Sequence, residues 1–252
     1  MKTNTFNKAV SAALAAAGLV AMASSVIFDL QIPAFIGLGL LLCGIITGYI
    51  ATEEYVKKTV LAPTSQSALQ ILNELLTKLD YNGKAKYLPP RYQADMENTR
   101  VCITKNENGE LPSPEQLLKE NKAFFINPEW LLITAPGNDL ARFFERILKT
   151  SFTKIDLSFL QKNLTKMLVE ELEIAGEART EVTGNILRID VENTAYVDFY
   201  REAQLRNNMG SPLASAIACA LARATGKTVT IRADSASKDQ RTIQIEYELE
   251  QT

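Results

Sequence analysis

The stretch GSPLASAIACALARATGKTVTIRADSASKDQRTIQIEYELE, residues 210–250, reads as one helix followed by two strands. Ser211-Pro212 supplies a capping hydroxyl and a first-turn proline, and Gly226 stands where the helix over residues 213–225 should close. Beyond it, Val229 and Ile231 alternate with Thr230 and Arg232. Across a polar turn at residues 234–240, Ile243, Ile245, Tyr247 and Leu249 alternate with Gln244, Glu246 and Glu248. A period of two marks strands with one wet face, so a terminal antiparallel hairpin is expected. The helix carries alanine at 214, 216, 218, 220 and 222 and has little bulk, so it should lie close against the sheet.

Toward the N-terminus the same two periods continue. Leu187, Ile189 and Val191 alternate with Arg188, Asp190 and Glu192, a third half-buried strand. Leu157, Leu160, Leu164, Met167, Leu168 and Leu172 form the inward stripe of a helix over residues 157–174, with Gly176 as its stop. Asn138 is placed to cap a helix whose Leu140, Phe143, Phe144, Ile147 and Leu148 share one face. Apolar runs at 123–126 and 130–134, separated by Asn127-Pro128-Glu129, predict a hairpin. Further strands are expected at 85–88 and 100–104, around the Pro89-Pro90 breaker. Pro63-Thr64-Ser65 opens a helix with the stripe Ala68, Leu69, Ile71, Leu72, Leu75, Leu76 and Leu79. Residues 64–252 therefore predict a soluble α+β domain of antiparallel hairpins and amphipathic helices.

The first 51 residues are a different material. Their only charged side chains are Lys2, Lys8 and Asp29, and two apolar runs of bilayer-spanning length occupy residues 9–28 and 32–51. Asp29-Leu30-Gln31 between them is too short to cross anything, so a transmembrane helical hairpin is expected, followed by a juxtamembrane linker at 52–63. Lys2 and Lys8 before the hairpin, and Lys57 and Lys58 after it, place both termini in the cytoplasm by the positive-inside bias. Ala21-Met22-Ala23 also imitates a signal-peptidase site, which would remove residues 1–23 and leave one spanning helix. The second apolar run, following after three residues, favours the hairpin. Gly44 and Gly48 make a GxxxG spacing, which lets helix backbones approach closely, within the hairpin or between copies.

Composition excludes several kinds of chemistry. The 252 residues include no histidine, which removes histidine-based nucleophile relays, HExxH zinc sites and imidazole switches. Cys43, Cys102 and Cys219 are isolated, giving neither a zinc knuckle nor a disulfide framework. With 27 Lys+Arg against 29 Asp+Glu, a nucleic-acid partner is not expected. Gly226-Lys227-Thr228 resembles the end of a phosphate-binding loop, but its order is helix, loop, strand, the reverse of that motif. Asn163-Leu164-Thr165 falls inside a helix and is not read as a glycosylation site. Lys78, Lys84, Lys86 and Arg91 interleave with Tyr81, Tyr87 and Tyr92, a pattern read as a solvated face over aromatic core contacts, with a surface for anionic lipid headgroups as the alternative. The candidate ligand site is the run Arg201, Arg206, Gly210, Ser211, which enters a helix N-terminus where free N–H groups and the helix dipole attract anions.

Tyr87-Leu88-Pro89-Pro90, and the closing Gly210-Ser211-Pro212-Leu213 with Ala224-Thr225-Gly226-Lys227-Thr228-Val229, give the chain a resemblance to a group of uncharacterised archaeal membrane proteins. The resemblance implies two N-terminal spanning helices and a cytosolic α+β domain, and supplies no catalytic residues. The expected role is a membrane-tethered, non-catalytic module that offers its domain to a protein partner or to a second copy. A sensor for a small anion is the alternative, and an enzyme of unknown class a remote one. Neither cofactor nor metal is expected, and the bilayer is the one partner the composition names.

Overall fold

The computed structural model describes residues 2–49, 58–93, 98–107, 109–119, 124–194, 209–237 and 241–250. The chain divides into two compact units, Met1–Lys58 and Thr59–Thr252.

The first unit is a pair of packed helices, α1 (Lys2–Phe28) and α2 (Gln31–Tyr49). Asp29 turns the chain with φ +50°, the left-handed region that short polar side chains tolerate best after glycine. The turn is closed by Leu30 N–H donating to the Ser25 carbonyl at 3.1 Å and by Ser25 Oγ donating to the Leu30 carbonyl at 2.5 Å. Val10–Phe28 and Gln31–Gly48 are each long and apolar enough to cross a membrane. Val26 is 84% exposed and Phe35 75%, a degree of apolar exposure over a whole helix pair that water does not favour and lipid does.

The second unit opens with α3 (Lys58–Leu79). Part of the expected linker, residues 58–63, is thus helical, with Pro63 inside the helix and not at its start, while residues 52–57 lie outside the described ones. Eight antiparallel strands follow among the described residues: β1 (Lys86–Tyr87), β2 (Arg100–Thr104), β3 (Phe124–Ile126), β4 (Trp130–Thr134), β5 (Glu177–Thr183), β6 (Ile186–Glu192), β7 (Thr228–Ala236) and β8 (Thr242–Glu250). They form one sheet in the order β3-β4-β2-β1-β7-β8-β6-β5. The two-residue β1 joins its halves. Lys86 and Tyr87 face Cys102 and Val101 on one side, and Thr230 and Val229 on the other.

The helices α4 (Pro114–Lys119), α5 (Asn138–Leu148), α6 (Leu157–Lys166) and α7 (Pro212–Thr225) complete the unit. One face of the sheet is buried under α5, α6 and α7, where Val101, Ile133, Ile189, Ile231, Ile245 and Tyr247 meet Phe144, Leu160 and Leu164. Alanines 214, 216, 218, 220 and 222 of α7 are fully buried, so the helix lies directly on the sheet, and Tyr247 Oη donates to the Ala214 carbonyl at 3.0 Å. β6 and β8 alternate buried and half-buried residues along their length, as period-two patterning requires. β2 is buried throughout, because its second face is covered by a smaller cluster of Leu88, Tyr92, Leu117 and Trp130 with Cys102 and Leu132.

Two local expectations change. Asn138 does not cap α5. Its Oδ1 accepts the backbone N–H of Thr99 at 2.8 Å and its Nδ2 donates to Asn98 Oδ1, so the side chain ties the helix start to the approach to β2. The expected helix over 157–174 ends as α6 at Lys166 and continues as a single π-helical turn, Met167–Glu171. Its cap is Asp156, whose carboxylate accepts Phe159 N–H at 2.8 Å.

Candidate functional site

The run singled out for anion binding leads into α7. Arg201 and Arg206 lie outside the described residues. Gly210 and Ser211 are both buried. Ser211 caps the helix, its Oγ accepting Ala214 N–H at 3.2 Å. Gly210 has φ +67°, and a Cβ there would stand 2.8 Å from Asp234 Oδ2 and 2.8 Å from Ile231 Cδ1, so glycine is needed on both grounds. The Asp234 carboxylate from β7 occupies the helix entry and accepts Ser211 N–H at 2.8 Å. An internal carboxylate therefore already answers the positive end of this helix.

Burial pushes the Asp234 carboxyl up to about 7, against the opposing pull of the Ser211 hydrogen bond. A carboxyl raised this way holds its proton more tightly in the folded chain than in the unfolded one. Its contribution to stability is complete below pH ~4, falls as pH rises toward about 7, and is level above that. For a half-buried group the span is on the order of 3 kcal/mol. Asp234→Asn keeps an acceptor for Ser211 and is expected to remove this slope. Melting of the two proteins from pH 4.5 to 8 checks it, and parallel curves would refute it.

Cations from three elements converge elsewhere, around Arg223. Most of α7 is apolar and small, and Arg223 is its one charged side chain. The guanidinium is 6% exposed and meets Glu145 of α5, which is 16% exposed. Arg223 Nη1 donates to Glu145 Oε2 at 3.0 Å, and Nη2 lies 3.0 Å from Oε1, a two-pronged pair of the kind that fixes geometry as well as energy. Glu145 Oε1 also accepts Phe152 N–H at 2.7 Å and Ser151 Oγ at 2.9 Å, tying down the segment after α5. Arg223 Cζ sits 6.0 Å from the Phe152 ring centre. Its Nε–H is buried and has no hydrogen-bond partner among the described residues.

Outside this pair opens a cleft of about 850 Å³. Arg142, Arg146 and Lys149 approach it from α5, Lys154 from the following turn and Arg223 from α7, against the carboxylates of Asp139 and Glu145. Lys149 ends α5 in the left-handed conformation, φ +52°, with its N–H donating to the Arg146 carbonyl at 3.3 Å. A smaller adjoining hollow of about 290 Å³, bordered by Pro89, Pro90, Arg91, Thr153 and Gly226, has Arg223 in its wall as well. Sequence reading followed only the apolar stripe of α5. The signals it passed over are the i, i+4, i+7 spacing of Arg142, Arg146 and Lys149, and a lone arginine in an alanine helix.

In the first unit, Gly44 and Gly48 face α1. A Cβ on Gly44 would lie 2.9 Å from Ala15 N, and one on Gly48 2.6 Å from Ser11 Oγ. Ser11 Oγ donates to the Gly44 carbonyl at 2.6 Å, an interhelical bond that close approach permits. Gly18 on α1 meets the Gly37 carbonyl in the same way.

The remaining motifs are structural. Tyr81, Tyr87 and Tyr92 are buried, and Lys86 pairs with Glu250 at 3.2 Å. Gly226 closes α7 with φ +66°, its N–H donating to the Ala222 carbonyl. Burial pushes the Cys102 and Cys219 thiols up to about 12, so neither is a thiolate near neutrality. Among the described residues no group of three or more His, Cys, Asp or Glu side chains is placed to hold a metal.

No curated protein and no solved structure matches the chain. Residues 2–248 match the family described as a domain of unknown function, DUF7982, and the chain belongs to that family.

Proposed function

We propose that the protein is a membrane-tethered, non-catalytic module. In this reading the α1–α2 hairpin spans the bilayer with both termini in the cytoplasm, and the α+β unit is displayed there for protein contact. A tether of this kind raises the effective concentration of the domain for partners on the same surface.

The observation that supports it is the contrast between the two edges of the sheet. The β5 edge carries Glu177, Arg179 and Glu181, charges of the sort that blunt an edge against pairing. The β3 edge carries Phe124 at 48% exposure and Ile126 at 46%, and no described strand lies on its outer side. An apolar edge strand accepts an extended segment by strand addition. The partner this favours is a chain, or a second copy, that offers an apolar strand.

The test places a photocrosslinking side chain at Ile126, and separately at Val182 on β5, in the full chain in native membranes. Crosslinked protein is expected from position 126 and not from 182, and Phe124→Lys should abolish it. Equal labelling at both edges, or none at 126, would reject the edge as the docking surface.

A further inference from the structure

The geometry points to the Arg223 cleft as a binding site for a phosphate ester, independently of the sheet edge. Three observations converge. The cleft wall holds five basic side chains against two carboxylates in a chain whose formal net charge is −2, so the positive charge is concentrated here against the overall balance. The cations come from α5 and its C-terminal cap, from the turn after it and from α7, so three separate parts of the fold bring positive charge to one cleft. Finally, the side chain at the back of the cleft is an arginine more than nine-tenths buried, with its Nε–H unpaired among the described residues.

A structural role covers only part of this. Arg146 and Lys149 would suit the negative end of α5 in any protein, since cations favour helix C-termini. The same explanation covers Arg223, in the last turn of α7, but it reaches neither Arg142, midway along α5, nor Lys154 in the turn that follows. Nor is the ion pair with Glu145 sufficient reason for a buried arginine, because burying both charges costs several kcal/mol that an apolar pair would not. A planar guanidinium held at fixed angle and flanked by exposed lysines and arginines suits a phosphate group: it fixes orientation while the exposed cations supply attraction. The cleft has room for a phosphorylated small molecule or for a lipid headgroup. The shared chemistry is an anionic phosphate ester, and the two sources are separated by experiment.

The full chain, in a neutral detergent at low salt, is titrated with inorganic pyrophosphate and, separately, with short-chain phosphatidic acid against short-chain phosphatidylcholine. At least one phosphate probe is expected to bind and phosphatidylcholine is not. Pyrophosphate alone would identify a soluble ligand, phosphatidic acid alone a headgroup, and both the shared chemistry. The exposed pair Arg146→Gln and Lys149→Gln, which leaves the core untouched, should raise Kd roughly tenfold or more for whichever probe binds. Lys166→Gln, on α6 and away from the cleft, should leave Kd within about twofold, the change expected for a distant screened charge. Binding of neither probe would overturn the proposal. So would equal affinity in the double variant, or an equal loss in Lys166→Gln.

Discussion

Replacing Glu145 by alanine is expected to lower the unfolding free energy of the α+β unit by about 3–5 kcal/mol. Arg223 is the reason. Its guanidinium is almost fully enclosed by α7, Phe152 and α5, and Glu145 neutralises it through two contacts at 3.0 Å. Without the carboxylate the charge stays buried, with Ser151 Oγ at 3.4 Å as its remaining hydrogen-bond partner among the described residues. The Phe152 and Ser151 donors lose their acceptor at the same time. The double variant Glu145→Gln with Arg223→Met separates these contributions. It removes both charges and keeps an acceptor for Phe152, so it should recover at least half of the loss, as paired apolar replacement does for other buried ion pairs. Trp130, the only tryptophan, lies in the smaller core cluster and reports the transition by fluorescence during urea unfolding. A loss below ~1 kcal/mol for Glu145→Ala would mean that water reaches Arg223 freely. A double variant as unstable as the single one would show that the unpaired charge of Arg223 is not the cause of the loss.

Features set by neighbours in sequence were legible from sequence. The alternation in β6 and β8, the Ser211-Pro212 start and Gly226 stop of α7, and the interrupted apolar run over residues 9–51 all depend on spacing within a few residues. What failed depends on distant partners. Asn138 has the right residue type for a cap, but the Thr99 N–H reaches its oxygen first from another element. The 157–174 stripe hides a π-helical turn, since Leu172 follows Leu168 by four residues and Met167 by five and so fits either spacing. The strand expected at 85–88 is present as β1, but its place was not legible: two residues long, it carries no sign of its neighbours, yet it joins two groups of strands into one continuous sheet. The cleft was invisible for a related reason. Charges on the outer face of α5 look like ordinary solvation until the fold brings Lys154 and Arg223 beside them.

Gly137→Ala should be the second most damaging single change, costing roughly 3 kcal/mol. Gly137 precedes α5 at φ −89°, a conformation open to any residue, so backbone freedom does not explain the glycine. By chain entropy alone, alanine there would stabilise the fold by about 0.4–1 kcal/mol. Contact distance decides the sign. A Cβ would overlap the backbone nitrogen of Ala216 and stand 2.6 Å from the Pro212 carbonyl oxygen and from the Ser215 carbonyl carbon. All three are backbone atoms of α7's first turns, and α7 is held on its other side by the sheet, so neither helix can yield cheaply. The approach is also fixed by a hydrogen bond, Gly137 N–H to Ser215 Oγ at 2.8 Å, buried and strained by any separation. Because the obstruction is main chain, Ala216→Gly should not rescue the variant, whereas a side-chain clash would be relieved by it. Thermal melting of Gly137→Ala, alone and with Ala216→Gly, measures both points. A melting temperature at or above the parent's would show that α5 sits farther from α7 than the 2.8 Å hydrogen bond allows. With that spacing lost, the pairing of Glu145 with Arg223 across the same two helices would lose its geometric basis.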